Sequence, residues 1–177
     1  KLQILSGNVK VRRAAYTKDI TIEDLIKTGG PFTPDFYDTG PGGKGDPGPP
    51  ITLDLRIDAD NTLIVRNNLA EATGSASLNL RGPIAEPVIS GRIQFNQGRI
   101  EFRNGRHEIT RALITLPPRR KAEPIIDLQT EADISGYRII ATFTGTPEKL
   151  NVVIRSDPDL PDSDKVSLLL TGTLAGD

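Results

Sequence analysis

Residues 51–58, ITLDLRID, alternate without a break: Ile51, Leu53, Leu55 and Ile57 fall in one phase, Thr52, Asp54, Arg56 and Asp58 in the other. Successive side chains of a strand point to opposite faces, so this spacing predicts a half-buried β-strand. Residues 70–81 repeat the pattern more weakly, with Ala70, Ala72, Gly74, Ala76, Leu78 and Leu80 in phase. The period continues through Ile89 to Phe95, Ile100 and Phe102, Ala112 to Leu116, Ile126 to Ile134, Tyr137 to Phe143 and Leu150 to Ile154. Ile109 is out of phase with Ala112 and Ile114, which predicts a bulge or register change there.

The joints are equally legible. Asn96-Gln97-Gly98, Asn104-Gly105 and Ser135-Gly136 read as tight hairpin turns, so their flanking strands should pair antiparallel. RGPIAEP (81–87) and PPRRKAEP (117–124) read as longer, proline-bounded connections. About ten strands emerge. One helical period stands out near the end, over 162–171, where Val166, Leu169 and Leu170 share a face that Leu168 broadens. Gly172 marks its stop, Pro158 and Pro161 stiffen its approach, and Asp162 and Asp164 fall where carboxylates cap a helix N-terminus. A turn is expected at Ile22–Lys27, and the Gly/Pro-rich segment at 38–50 reads as a flexible loop.

Composition narrows what such a sheet can do. The 22 basic and 23 acidic residues nearly cancel, which removes the electrostatic reason to expect nucleic acid. Without cysteine there are no disulfides, thiol nucleophiles or thiolate metal sites. His107 is the single histidine, so no His pair can ligate a metal, and it reads as a solvated strand residue beside the Asn104-Gly105 turn. Asp157, Asp159, Asp162 and Asp164 lack the glycine and closing glutamate of a calcium loop. Arg119, Arg120 and Lys121 read as a solvated basic knot. Nothing assembles into an acid/base pair, and the chain is not expected to be an enzyme or to need a cofactor.

The aliphatic face is the distinctive feature. There are 44 Ile, Leu and Val residues against five Phe, three Tyr and no Trp. Apolar surface costs about 25 cal/mol per Å² to leave in water, and one helix cannot cover this many strands. The sheet must therefore fold over as a closed sandwich, close as a barrel, or form a groove that apolar ligand fills. A lining of branched aliphatics and alanines suits acyl chains, which need contact rather than directional bonds. No stretch approaches the ~20 apolar residues of a membrane-spanning helix, so the chain reads as soluble. Beginning at Lys1 without any methionine, it is expected to be a fragment of a longer protein.

Residues 70–173 resemble the C-terminal region of the TamB family. The likeness rests on Gly98, Gly105, the proline before Ile125, Asp127 and Leu128, and the strand ending Gly145-Thr146. Above all it rests on Ser156-Asp157-Pro158 followed by Leu168-Leu169-Leu170-Thr171-Gly172. The first 60 residues match more weakly, and the Gly/Pro loop and the abrupt end depart from the pattern.

The resemblance implies an all-β fold: a long antiparallel sheet curled into an apolar half-pipe, with one short C-terminal helix. It implies a single segment over 1–173 with a tail at 174–177. It further implies a periplasmic segment of an inner-membrane-anchored protein in a diderm bacterium, working with TamA, an outer-membrane barrel protein. The module acts in outer-membrane biogenesis, autotransporter assembly and secretion, and the wider superfamily, which includes AsmA-like proteins, in phospholipid transport. The cargo would be phospholipid acyl chains or unfolded outer-membrane protein strands. Its expected groove runs through Leu53, Leu55 and Ile57, then Leu78 and Leu80, then Ile93, Phe95, Ile100 and Phe102. It continues through Ile114, Leu116 and Leu128 to Ile139, Phe143, Val152 and Ile154. Dimerisation of the isolated chain is an expected outlet for such a face. The competing reading is a closed structural or adhesin-like β-sandwich.

Overall fold

The computed structural model describes residues 3–19, 51–102, 105–120 and 123–175. The Gly/Pro segment at 38–50, the Ile22–Lys27 turn and Asn104 of the expected Asn104-Gly105 turn lie outside the described residues. Among the described residues nine strands and one helix follow in order: β1 (Gln3–Lys10), β2 (Ala14–Tyr16), β3 (Ile51–Arg66), β4 (Ala70–Pro83), β5 (Val88–Phe102), β6 (Gly105–Leu116), β7 (Ile125–Ile134), β8 (Tyr137–Thr146), β9 (Lys149–Asp157) and α1 (Asp162–Thr171).

All nine strands belong to one sheet, ordered β1-β3-β4-β5-β6-β7-β8-β9, with β2 also paired to β3. From β3 to β9 every neighbour is the next strand in sequence and every pair is antiparallel. The sheet stays open and does not close into a barrel. The all-β reading with a single C-terminal helix therefore holds, and the long connections at 84–87 and 117–124 turn out to join adjacent antiparallel strands.

Local chemistry explains the joints. Ser135 (φ 52°) and Gly136 (φ 83°) both adopt left-handed backbone, the signature of a two-residue hairpin turn, and close β7 onto β8. Asn96-Gln97-Gly98 is not a turn. It lies inside β5, where Gly74 faces Phe95 and Thr73 faces Gln97, so Asn96 is one extra residue. That bulge keeps Phe95 and Gly98 on the same face although they are an odd number apart. The predicted irregularity near Ile109 has the same cause: Ile109 pairs with Thr130 and Arg111 with Gln129, leaving Thr110 as the extra residue.

α1 follows Asp157 through an acidic elbow. Its N-cap position is Pro161, and no side chain caps it, which corrects the expected Asp162 and Asp164 caps. Those carboxylates sit in the first turn, where they still oppose the macrodipole. Asp162 accepts a hydrogen bond from Lys165 (3.4 Å), and Asp164 accepts from the Ala175 N–H (3.0 Å), tying the tail back. Gly172 (φ 79°) is the left-handed C-cap, its N–H donating to the Leu168 carbonyl at 3.0 Å.

Candidate functional site

Pairing register decides which side chains share a face. Leu53, Leu55, Ile57 and Ala59 of β3 stand opposite Gly82, Leu80, Leu78 and Ala76 of β4. Leu80, Leu78 and Ala76 stand opposite Ile89, Gly91 and Ile93 of β5. Ile93 and Phe95 meet Ile114 and Ala112 of β6, which meet Ile126 and Leu128 of β7. Leu128 faces Phe143 of β8, and Phe143 faces Val152 of β9. Directly opposed residues point the same way, so one apolar face runs unbroken across the sheet. The register of Leu116, Ile100, Ile139 and Ile154 puts them on it too. Fifteen of the sixteen expected positions thus share this face.

Their surroundings are not uniform. Leu55, Ile57, Leu78, Leu80, Ile93, Phe95, Ile100, Leu116, Leu128, Phe143 and Ile154 are half-buried, while Leu53 and Ile114 are buried. The rims remain bare: Leu5 (54% exposed) and Val9 (44%) on β1, Leu150 (42%) and Val152 (46%) on β9. β1 reaches this face through its parallel register with β3, Leu5 beside Leu53 and Val9 beside Ile57. Sequence reasoning missed this rim because β1 carries only two apolar residues in this phase, Leu5 and Val9, with Gly7 between them and Ile4 in the other phase.

Ile139 is different. It is fully buried in a cluster with Ala132, Ile134, Ala141, Leu168 and Leu169, flanked by Tyr137, Phe143, Ile154, Leu160 and Leu174. α1 packs on the face at this end and makes it a core. Burying side chains such as Ile139 and Leu168 contributes roughly 1.5–3 kcal/mol each. The buried helix face is Leu168 and Leu169, whereas Val166 (45%) and Leu170 (64%) stay exposed. Of the expected Val166, Leu169 and Leu170 stripe only Leu169 is buried, beside Leu168, with Leu160 and Leu174 packed against the same cluster. Three polar contacts hold it. Ser135 Oγ donates to the Gly172 carbonyl (2.9 Å), the Leu160 N–H donates to Ser156 Oγ (2.9 Å), and Lys165 pairs with Asp159 (2.8 Å). The Lys165 hydrogen bond holds the Asp159 carboxyl below its usual range and raises the ammonium in turn.

Polar residues on the apolar face include two in its buried part. Thr130 and His107 are both fully buried. His107 faces Ile100 across the β5–β6 ladder, which corrects its reading as a solvated residue. Its phase, shared with Ile109, carried that signal. Burial pushes the imidazole below its ordinary value, so the neutral form is favoured.

The opposite face is an ion-pair lattice. Arg81–Asp54 (2.8 Å), Arg111–Asp127 (2.9 Å), Arg138–Glu131 (3.0 Å) and Arg56–Asp58 (3.0 Å) join charges across or along the strands. Glu71 lies between Arg66 and Arg99. A further pair, Arg120–Glu86 (2.9 Å), links the β4–β5 and β6–β7 connections and engages part of the expected basic knot. Exposed pairs each stabilise little, but together they keep this face in water and the aliphatic face apart from it. Among the described residues, no group of His, Asp and Glu is arranged to hold a metal ion, and no helix is long and apolar enough to cross a membrane. The face can offer apolar contact along its length.

No curated protein matches the chain. Residues 4–177 match the family model for the TamB C-terminal domain, nearly the whole length. With its open sheet and one aliphatic face, the chain belongs to the TamB family.

Proposed function

We propose that the aliphatic face is a cargo groove, and that the chain is a non-catalytic, periplasmic segment of an inner-membrane-anchored TamB-like protein. In this reading it shields hydrophobic cargo, acyl chains of phospholipids or nascent outer-membrane β-strands, during outer-membrane biogenesis with a TamA-like partner. The observation that carries it is the register-continuous lining from Leu55 to Val152, half-buried along most of its length and bounded by bare apolar rims. An open apolar surface of this extent is unfavourable in water unless something occupies it. Branched aliphatics favour a partner that needs contact without directional bonds.

The test places charge in the groove of the full-length parent. Leu128→Arg or Ile93→Asp sets a charge where cargo would slide, and desolvating it there costs several kcal/mol. Water reaches these half-buried positions in the empty groove, so protein abundance should stay near normal while outer-membrane integrity or barrel-protein assembly is lost. Gln129→Arg, in the opposite phase of the same strand, should be silent. Normal function with folded Leu128→Arg protein would refute the groove. Native mass spectrometry of the purified chain separates the cargo classes, since retained phospholipid favours the acyl-chain form.

A further inference from the structure

Ladders from the β1 edge to β7 are interrupted at one level. Lys10 pairs with Asp58, and the next edge pair is Ala14 with Leu63. Ala59 pairs with Ala76, and the next pair is Leu63 with Gly74. The following ladders slip at Asn96, skip from Phe95–Ala112 to Arg99–Glu108, and slip again at Thr110. By register these breaks sit side by side, in a transverse seam across the strands. The β7–β8 and β8–β9 ladders continue through the same level without a break.

Both faces of the seam are adapted to it. On the apolar side the floor is small: Ala59, Ala72, Gly74, Ala76 and Ala112 are buried there. A Cβ on Gly74 would lie 2.7 Å from the Phe95 ring and closer still to the Gln94 carbonyl, so the strands approach without side-chain bulk. On the polar side, side chains take over where the ladder stops. The Asn61 N–H donates to Ser75 Oγ (2.9 Å), and Asn61 Oδ1 accepts from Asn96 Nδ2 (3.2 Å) and Ser75 Oγ (3.3 Å). Thr62 Oγ1 donates to the Val11 carbonyl (2.9 Å), and Thr110 Oγ1 to the Gln129 carbonyl (3.2 Å). Asn61 itself sits at φ 52°. A cavity of about 320 Å³ opens between Asn96 and Thr110.

We propose that this seam is a hinge line across the trough. The strand ends beyond it, Leu63–Arg66 and Ala70–Thr73 with β2 and the ends of β5 and β6 paired to them, pivot against the rest of the sheet and change the width of the trough at that end. The unbroken β7–β9 ladders and α1 form the fixed frame. The physical basis is direct. A continuous ladder resists bending because every residue is tied to its neighbour, whereas aligned bulges concentrate bend and twist at one level. A floor of Ala and Gly lets the concave side close, and an exposed polar clasp can open into water at little cost, because water replaces its hydrogen bonds. The hinge concerns the sheet's mechanics and does not depend on what the trough carries.

The chain lacks cysteine, so spin labels can be placed cleanly. One label pair, Asn68→Cys with Ser163→Cys, reports the tip of the β3–β4 hairpin against α1. A second, Asp133→Cys with Asn151→Cys, reports within the frame. Pulsed electron-electron double resonance should give a broad or two-peaked distance distribution for the first pair and one narrow peak for the second. Adding Asn96→Ala, an exposed polar change that leaves the core intact, should move the first distribution by several ångströms and leave the second alone. Equal narrow widths for both pairs, unchanged by Asn96→Ala or by Ser75→Ala, would overturn the hinge. A width that changes equally in both pairs would also overturn it, since that signals general loosening.

Discussion

β7 to β9 and β3 to β6 are built from the same alternating aliphatic strands, yet they are different solids. In the first, ladders run without interruption and α1 converts the apolar face into a core, with Ile139, Ala141 and Leu168 fully buried. In the second, a seam crosses every ladder and the lining is largely half-buried. Amphipathic pattern alone therefore does not decide whether a sheet face is a core or a surface. Ladder continuity and one ten-residue helix do.

That contrast can be broken most severely at Leu168. Leu168→Asp buries an unpaired charge in the capped region, and should destabilise the chain by about 3–5 kcal/mol in urea unfolding. A result as mild as that of Ile93→Asp would erase the distinction between the two regions. Truncation gives a gentler version. Ile139→Ala should cost about 2–5 kcal/mol through the cavity it leaves, whereas Ile93→Ala, half-buried, should cost about 1 kcal/mol.

His107 sharpens the comparison by pH. Its folded-state proton affinity is lowered by burial, so the unfolded chain binds the proton more readily. Stability should be fully present above the ordinary histidine value of about 6.5 and fall as pH drops from there toward the folded value. His107→Gln should flatten that slope, measured by urea midpoints across the window. Smallest of all, Arg81→Ala removes an exposed pair with Asp54 and should change stability by no more than about 0.5 kcal/mol.

Much of this was written in the period-two pattern, and the failures have identifiable causes. The strand faces, the Ser135-Gly136 turn, the helix at 162–171 and its Gly172 stop follow from local chemistry that needs no partner. Asn96-Gln97-Gly98 misled because a bulge and a hairpin turn use the same residues. The positions proposed for the groove were legible as a face, but Ile139 could not be distinguished from Leu128. Their alternation is identical, and only the docking of α1 separates them. Which helix side docks was equally hidden, because Val166, Leu168, Leu169 and Leu170 are all apolar.

The parallel pairing of β1 with β3 has a consequence for how the chain assembles. From β3 onward each strand finds its partner across a short connection, a meander of local contacts that can zip up quickly. Gln3 instead meets Ile51, 48 positions along the chain (51 − 3), and only after β3 exists to receive it. Closing that long loop carries an entropic cost that hairpin neighbours do not bear. β1 is thus the late arrival at the sheet. All eight of its residues are exposed, so little burial holds it once there, and it should also be the first strand to leave when the sheet is stressed.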